Sequence, residues 1–437
     1  MTLDFPDGWK LQSVEDSMKA IIDYRGKTPR KTPSGVPLIT AKIVKDGRII
    51  PPTEFIAAEG YDSWMNRGLP APGDVVMTTE APLGEIAQID NRKVALGQRL
   101  ITLRGKPDVL NNTYLKFAMQ AAFVQNQLKA RSTGTTVLGI SQRELRKVEI
   151  PLPPLSEQRR IAHILSTLDD KIELNRQMNE TLEATARAIF KSWFVDFDPV
   201  KAKMDRRKPP YMDTETAELF PSAFQDSSLG KVPKGWSVVP LPEVMEVNPR
   251  RVLKRGTIAP YLHMQNLPTQ GHRPYEWIDR EFSSGTKFMN GDTLLARITP
   301  CLENGKTGFV DFLDTDEVGW GSTEYIILRP KPPLPIEFAY YLARSDDLRM
   351  FAIHNMTGST GRQRVPASCF DYYQFSVPTT PIAQKFGETV KPFMNKIREN
   401  SEQSHTLTQI RDTLLPKLLS GKIRVNDVIE ILEENDG

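Results

Sequence analysis

Apolar positions recur at alternating spacings of four and three residues along the stretch from 161 to 193. They are Ile161, Leu165, Leu168, Ile172, Leu182, Ala186, Ile189 and Trp193, with Asn175 and Asn179 filling the two middle positions. This heptad spacing predicts a long helix that buries one stripe of side chains against a partner helix. A second heptad pattern runs from Phe386 to Leu418 and is interrupted at Ser404 and Arg411. We place the two helices at residues 155–197 and 380–420.

Asn175 and Asn400 lie at equivalent points of the two heptad patterns. If two copies of one unit pack around a pseudo-twofold axis, the long helices run antiparallel and these midpoints meet. A buried pair of amides costs stability but fixes the register of the helix pair. The sequence leaves open the alternative that both amides face solvent at the edge of the seam.

Short apolar runs bounded by glycine and proline come before each long helix. The runs DVVMTT, RLITLR, DTLLAR and EYIILR predict strands, while TYLKFAMQAAFVQNQLKA and IEFAYYLARSDDLRMFAI each predict one helical stretch. We therefore expect an α+β protein. Two duplicated mixed α/β domains would be separated by two long antiparallel coiled-coil helices with pseudo-twofold symmetry.

The duplication is visible in paired segments. FPDGW is matched by VPKGW, PGDVVMTTEAPLGEIAQI by NGDTLLARITPCLENGKTGFV, and IPLPPLSEQ by VPTTPIAQ. One unit used twice predicts a tandem pair and not a solenoid. The expected segments are a first domain at 1–154, a first long helix at 155–197, a linker at 198–230, a second domain at 231–379, a second long helix at 380–420 and a C-terminal tail at 421–437.

Composition adds limits to this organisation. At 437 residues the chain is too long for one ordinary core, and its formal net charge of +3 is too small to indicate a polyanionic partner. No apolar run approaches the roughly 20 residues of a membrane helix, and the N-terminus lacks a signal-peptide pattern. With only Cys301 and Cys369, a disulfide framework is excluded, which favours a cytoplasmic location.

Catalytic and cofactor motifs are missing from the sequence. GKT occurs twice, but Ile21 and Pro300 stand where a phosphate-binding loop needs a glycine. G-x-S-x-G, H-E-x-x-H and C-x-x-C do not occur, and the five histidines are scattered. We therefore expect no catalytic residue, metal site or cofactor in this chain, although an unrecognised pair of carboxylates stays possible as an alternative.

Two equivalent segments carry the candidate recognition chemistry, KARSTGTTVLGISQRE and NMTGSTGRQRVPAS. Hydroxyls and glycine amides suit phosphate oxygens, and Arg and Gln side chains read guanine and adenine edges in the major groove. The predicted DNA-binding residues are Arg131, Thr133, Gly134, Thr135, Thr136, Gln142, Arg143, Thr357, Gly358, Ser359, Arg362, Gln363 and Arg364. The alternative is a pair of surface turns with solvated arginines. DYRGKTPRKTPSG adds a further basic stretch.

The chain resembles the specificity subunits of type I restriction-modification systems. The resemblance rests on IPLPPLSEQRRIAHILSTLDDKIELNRQMNETLEATARAIFKSWFVDFDPV, STGTTVLGIS and LLPKLLSGKIRV, and it extends over essentially the full length. It implies that 1–154 and 231–379 are target-recognition domains, each reading half of a bipartite asymmetric site in double-stranded DNA. The long helices would set the spacer length and dock the modification subunits.

The same resemblance implies the partners. Modification subunits, two per complex, would carry adenine-N6 methyltransferase activity and S-adenosylmethionine, and restriction subunits would carry ATP- and Mg-dependent translocation and cleavage. This chain would be non-catalytic. Two alternatives stay open: a fused methyltransferase or nuclease, which would act on DNA alone, and a coiled-coil scaffold that binds protein. A salt titration of DNA affinity separates the scaffold, because phosphate contacts weaken steeply with salt.

Overall fold

A computed structural model describes residues 5–26, 28–274, 276–359 and 361–425. The chain divides into two compact units. Unit 1 comprises Met1–Glu173 together with Ser404–Gly437, and unit 2 comprises Leu174–Gln403. Each unit thus contains one globular domain and one half of each long helix. Residues 426–437 of the predicted tail lie outside the described residues.

The helices are α1 (Val14–Ser17), α2 (Tyr61–Trp64), α3 (Asn112–Gln120), α4 (Ala122–Ala130), α5 (Gln142–Arg146), α6 (Leu155–Phe194), α7 (Asp198–Met204), α8 (Thr214–Leu219), α9 (Leu241–Val244), α10 (Phe338–Arg344), α11 (Asp346–His354) and α12 (Thr380–Leu419). The strands of unit 1 are β1 (Lys10–Ser13), β2 (Met18–Asp23), β3 (Lys31–Thr32), β4 (Val36–Ile39), β5 (Val44–Lys45), β6 (Arg48–Ile49), β7 (Phe55–Ile56), β8 (Val75–Thr79), β9 (Leu83–Gln88), β10 (Ala95–Leu96), β11 (Leu100–Gly105) and β12 (Glu149–Leu152). The strands of unit 2 are β13 (Phe224–Ser227), β14 (Gly230–Pro233), β15 (Ser237–Pro240), β16 (Met245–Val247), β17 (Ile258–Leu262), β18 (Ile278–Glu281), β19 (Thr286–Phe288), β20 (Thr293–Ala296), β21 (Thr307–Phe309), β22 (Gly319–Gly321), β23 (Tyr325–Pro330) and β24 (Gln374–Val377). This mixed α/β fold with two long helices is the predicted fold class.

The domain of unit 1 is built on an antiparallel sheet in the order β2-β11-β8-β9. Strand β8 is buried on both faces: Val75 and Met77 pack in the core that includes α3 and α4, and Val76 packs in a second core formed with another sheet. That second sheet has the order β10-β4-β7-β3. Burial on both faces explains why β8 begins with three consecutive apolar residues, Val75–Met77, without polar alternation.

Unit 2 repeats this topology. Its main sheet has the order β16-β23-β20-β21, and its second sheet has the order β18-β17-β22-β19. In both second sheets a central strand pairs with one parallel and one antiparallel neighbour, β10 and β7 around β4, and β22 and β18 around β17. The fourth strand differs, because β3 adds next to β7 in unit 1, whereas β19 adds next to β22 in unit 2. The two domains therefore share a core topology with different edges.

The paired PGD and NGD segments form the same buried turn in each unit. Asp74 and Asp292 are fully buried, and each accepts a hydrogen bond from a backbone amide three residues earlier, at 2.8 Å and 2.9 Å. Each carboxylate is also paired with an arginine from the neighbouring strand, Arg104 at 2.7 Å and Arg329 at 2.7 Å. A buried charge needs such a partner. This conserved geometry supports the duplication at the level of single side chains.

Each helical stretch predicted between strands is divided in two. In unit 1 the break lies at Ala121, which has extended backbone angles between α3 and α4. In unit 2 it lies at Ser345, whose hydroxyl accepts a hydrogen bond from the Leu348 amide and caps α11. The prediction of one continuous helical stretch was wrong at these two residues. The apolar periodicity of the sequence continues across both breaks, whereas the helical conformation of the backbone does not.

The long helices α6 and α12 each contain 40 residues. Within unit 1 they run antiparallel, since Asp169 of α6 pairs with Arg411 of α12 at 3.0 Å, while Glu157 near the start of α6 pairs with Arg424, just beyond the end of α12, at 3.0 Å. Within unit 2 they also run antiparallel, since Asn175 contacts Gln403 while Phe190 contacts Phe386. The predicted antiparallel pairing is present in each unit taken by itself.

Polar side chains hold the helices to the domain in unit 1. Lys116 of α3 pairs with Asp169 of α6 at 2.6 Å, and Asp169 also pairs with Arg411 of α12. Burial disfavours the charge of Arg411, but its hydrogen bonds to Asp169 and Asp412 outweigh burial and raise its pKa. The seam position where Arg411 interrupts the heptad pattern is therefore occupied by an ion pair.

Aromatic side chains dominate the contacts of α6 and α12 with the domain in unit 2. The ring of Phe386 is fully buried and lies 5.0–6.1 Å, between centroids, from its aromatic neighbours. These neighbours are Phe190, Trp193, Phe194, Phe338 and Tyr341. Such edge-to-face clusters bury large apolar areas.

A buried polar cluster joins α6 to the domain of unit 2. His272 is fully buried between Asp311, with Nε2 3.2 Å from Oδ2, and Glu183 of α6, with Nδ1 3.7 Å from Oε2. Tyr340 donates a 2.5 Å hydrogen bond to Glu183, and Arg344 donates to Tyr340. Burial alone would lower the pKa of His272, but its two carboxylate neighbours outweigh burial and raise it. Burial opposes the charge of Glu183, yet His272 and Tyr340 lower its pKa.

The stretch 198–230, predicted as a linker, contains α7, α8 and the β13 strand of a hairpin. Val200 and Phe220 from this stretch are buried in the main core of unit 2.

Among the described helices, none has both the length and the apolar character that a membrane span requires.

Candidate nucleic-acid interface

Each unit presents one loop held by the same backbone frame. Loop 1 (residues 131–141) follows α4 in unit 1 and is closed by a pair of hydrogen bonds between Thr133 and Gly139, at 2.8 Å and 2.9 Å. The amide of Ile140 then donates to the carbonyl of Thr79, at the end of β8. Helix α4 at one end and the sheet at the other thus fix the position of loop 1.

Loop 2 (residues 355–365, of which 360 lies outside the described residues) follows α11 in unit 2 and has the same frame. Thr357 and Arg364 exchange two backbone hydrogen bonds of 2.9 Å, and the amide of Val365 donates to the carbonyl of Arg297, just after β20. The two segments that the sequence singled out therefore occupy equivalent places in the two domains.

A glycine is required near the start of each loop. Gly134 has a φ of +110°, and a Cβ there would lie 2.1 Å from the carbonyl oxygen of Val137. Gly358 has a φ of +116°. Side chains are disfavoured at such angles. These two predicted residues shape the loops, in addition to any contact that their amides make.

Loop 1 exposes most of its predicted DNA-binding residues. Thr133, Gly134, Thr135 and Thr136 are exposed on the loop itself. Arg131 is half-buried, and its guanidinium lies 3.7 Å from Glu144.

The remaining two predicted residues of this region lie on α5. Gln142 is half-buried and Arg143 is exposed. Ser141 caps the start of this helix, and its hydroxyl accepts a hydrogen bond from the Glu144 amide.

Loop 2 also exposes its predicted residues, with one important difference. Thr357, Gly358, Ser359 and Arg362 are exposed, and Gln363 is half-buried. Arg364 instead forms a two-point ion pair with Glu324, with nitrogen–oxygen distances of 2.8–3.0 Å. Because its guanidinium is already engaged, any DNA contact by Arg364 has to compete with Glu324.

An ion pair of opposite polarity lies beside loop 1. There Arg99, which precedes β11, pairs with Glu80, which follows β8, at 2.9 Å. In unit 2 the acid, Glu324, precedes β23 and the base, Arg364, lies on the loop. The residue before the strand is therefore basic in unit 1 and acidic in unit 2, and its ion-pair partner comes from a different segment in each domain.

Sequence reasoning missed several cations around loop 1. An open cleft is lined by Arg25, Gln98, Arg99 and loop 1 itself. Arg25 pairs with Asp23 and donates a 3.1 Å hydrogen bond to the carbonyl of Ile140, and Arg67 donates to the carbonyl of Arg25 at 2.7 Å. Arg25 belongs to the basic stretch noted in the sequence, whereas the fold alone brings Arg99 to the cleft and Arg67 to Arg25.

A second basic stretch was missed in unit 2. It follows β16, as the stretch around Arg25 follows β2, and its exposed cations are Arg250, Lys254 and Arg255. The amide of Asn248 donates to Ile327 of β23, which places this stretch at the end of the main sheet where β23 begins. The density of cations in NPRRVLKRG, at the position equivalent to DYRGK, could have identified this basic stretch from the sequence.

The two predicted register residues lie inside the helix pair of unit 2. Asn175 is fully buried and Asn400 nearly so. The Asn175 amide donates to the Asn400 carbonyl at 3.3 Å and to Gln403 at 2.9 Å, and the Asn400 amide donates to Asn179 at 2.9 Å. Both amides lie inside the seam and not at its solvent edge. Their role in fixing the register stays a prediction.

Within the described ranges, no group of three or more His, Cys, Asp and Glu side chains is placed to hold a metal ion. The geometry offers backbone amides, hydroxyls, guanidinium groups and carboxamides in each loop region. Such an arrangement suits recognition of a polyanion and of base edges.

Comparison with known proteins agrees with these features. Residues 6–184 match the family described as "Type I restriction modification DNA specificity domain". The chain is 27% identical over 372 residues to the MjaIX type I restriction enzyme specificity subunit of Methanocaldococcus jannaschii, covering 82% of this chain and 79% of that one. It is 25% identical to the HindI specificity subunit of Haemophilus influenzae, covering 67% and 73%.

The fold also matches a solved structure. The crystal structure of the type I restriction-modification S subunit from M. genitalium aligns with a TM-score of 0.57 at 16% identity, covering 96% of this chain and 98% of that one. The match over residues 6–184 and the similarity along most of the chain relate this protein to the specificity subunits of type I restriction-modification systems.

Proposed function

We propose that each domain reads one half of a bipartite, asymmetric DNA site, loop 1 one half and loop 2 the other. One observation carries this proposal: the same bridged backbone frame supports a different set of side chains in each unit. A shared frame suits a shared way of approaching the duplex, and different side chains suit different bases.

Within each domain the residues divide by chemistry. Threonine and serine hydroxyls and the amides around Gly134 and Gly358 suit phosphate oxygens, and so do the half-buried Arg25 and the exposed Arg250. Arg143 in unit 1, and Arg362 and Gln363 in unit 2, have the forked donors and acceptors that read guanine or adenine in the major groove. Phosphate contacts would supply affinity, and these base contacts would supply specificity.

The long helices and the partners complete the proposal. The helices would set the distance between half-sites and dock the modification subunits, two per complex, with restriction subunits added to these. S-adenosylmethionine, ATP and Mg would belong to those partners. Because the DNA of its prokaryotic relatives lies in the cytoplasm, we place the complex there.

The loops are tested by paired substitutions in the full chain with its modification subunit. We expect Arg143→Ala to weaken recognition of one half-site and Arg362→Ala to weaken recognition of the other, each by about 1–3 kcal/mol. Affinity is measured by fluorescence anisotropy on duplexes mutated in one half-site at a time, over a series of salt concentrations. Equal losses at both half-sites for both variants would indicate a general electrostatic role and contradict the proposal.

The helices are tested by their length. Removing one heptad from each, at equivalent seam positions, keeps the seam in phase and shortens it by about 10 Å, roughly three base pairs. We expect the tolerated gap between half-sites to shorten accordingly in a methylation assay. An unchanged gap would argue against the helices as the spacer.

A further inference from the structure

Loop 1 carries two large apolar side chains at its tip. Val137 is 53% exposed and Leu138 is 43% exposed. They lie between the bridged residues Thr133 and Gly139, so the chain on both sides of them is fixed. The carbonyl of Val137 also packs on Gly134, where a Cβ would lie only 2.1 Å away. The backbone therefore holds both side chains outward in a defined position.

The surroundings of this tip are charged and polar. Val137 lines the same open cleft as Arg25, Glu80, Gln98 and Arg99, where Arg99 is paired with Glu80 and Arg25 with Asp23. An apolar pair in such a setting does not fit an apolar protein partner, which would have to bury those charges. The DNA duplex of the proposed function suits it, because a duplex meets such a cleft with polar and charged groups and presents isolated apolar groups within its groove.

The apolar group that a duplex presents in its major groove is the C5 methyl of thymine. We propose that Val137 and Leu138 are specificity-determining residues that contact a thymine methyl in the half-site read by unit 1. This inference rests on the proposed function and adds to it the chemistry of one recognised base.

Loop 2 differs at the same place. Between its bridged residues Thr357 and Arg364 the sequence contains no apolar side chain and offers Arg362 and Gln363 instead. We therefore assign recognition of the thymine methyl to loop 1 of unit 1 and not to loop 2. The two half-sites should respond differently to the loss of thymine methyl groups.

Uracil substitution removes only that methyl and leaves base pairing intact. The target site is first mapped through its methylated adenines, and the half read by unit 1 is identified with Arg143→Ala. Each thymine in that half is then replaced by uracil. Burial of one methyl contributes enough free energy that we expect about a fourfold loss of affinity at one or two of these positions.

The second measurement combines the DNA change with a protein change. In the variant V137A/L138A, thymine and uracil duplexes should bind equally at the positions found with the unchanged chain. Leu229→Ala is the matched control, because Leu229 is 49% exposed in unit 2, and it should retain the full uracil effect. Val137 and Leu138 are both exposed, and circular dichroism and thermal unfolding verify that the variants fold.

Two results would overturn the inference while leaving the proposed function intact. The first is site-specific binding that is unaffected by uracil at every thymine of that half. The second is a uracil effect that persists undiminished in V137A/L138A. If the complex binds no specific DNA site, the proposed function fails and this inference fails with it.

Discussion

The two units fasten their share of the long helices by different chemistry. In unit 1 the ion-paired Asp169 joins Lys116 of the domain to Arg411 of α12. In unit 2 aromatic rings cluster around Phe386, and a buried polar cluster is centred on His272. The backbone topology of the duplicated fold has therefore been kept while the side chains that hold it together have been exchanged.

This difference has a physical consequence. An apolar cluster stabilises by removing area from water and depends little on pH or salt. A half-buried ion pair gains strength from its geometry but is sensitive to the loss of either partner and to ionic strength. The two domains should thus respond to different perturbations, although they share a fold.

The largest effect is expected at Phe386. Phe386→Ala removes a fully buried ring in contact with five others and should destabilise unit 2 by about 3–5 kcal/mol. Thermal unfolding combined with hydrogen exchange, resolved by peptide, would assign the loss to unit 2. A loss below about 1 kcal/mol would show that this cluster does not hold the helices.

A pH-dependent effect is expected at His272, also in unit 2. Its folded pKa is raised above the unfolded value, so its contribution is fully present below about pH 6.5 and is lost as the pH rises through the folded pKa. The lowered pKa of Glu183 acts in the opposite sense, and its contribution disappears as the pH falls below about 4.5. Unfolding of unit 2 should therefore occur at lower temperature as the pH rises from 6.5 to 9.

The control for this prediction is His272→Gln, followed over the same pH range. It should remove most of the alkaline slope while leaving unit 1 unchanged. A slope of the same size in both proteins would assign the pH dependence to other groups.

A smaller effect is expected in unit 1 at Asp169. Asp169→Asn leaves Lys116 and Arg411 without their shared carboxylate and should cost about 1–3 kcal/mol, with a difference from the unchanged chain that shrinks as salt increases. Urea unfolding at low and high salt measures it. A loss that is independent of salt would indicate that packing, and not charge, accounts for the contact.

Much of this architecture could be predicted from periodicity. The heptad patterns located both long helices, and the runs around Val76 and Ile327 located central strands, because burial on a regular element leaves a regular trace. The divisions at Ala121 and Ser345 could not be predicted, since a change of backbone angle at one residue hardly alters the apolar pattern. Arg411 looked like a defect in the seam, because its partner Asp169 is supplied by the other helix.

Prediction of the candidate site from the sequence was limited in the same way. The two loops were found because glycine, hydroxyl and arginine residues recur together in both copies. Arg67 and Arg99 were not found, because each is a single cation in its own segment and only the fold brings Arg99 to loop 1 and Arg67 to Arg25. Contacts of this kind depend on topology, which pairs distant segments without leaving a local signal.

The division of the chain between the units bears on how the protein is made. Unit 2 is one continuous segment, whereas the core of unit 1 needs Leu418, Leu419 and Val425 alongside Trp9. At ribosomal rates of about 5–20 residues per second, the domain that is synthesised first waits on the order of ten to fifty seconds for these side chains. Until these residues emerge, Ile161 and Leu165 are not fully buried. The domain of unit 1 is therefore synthesised first but completes its core last. During synthesis it is the more exposed of the two domains to chaperones and proteases.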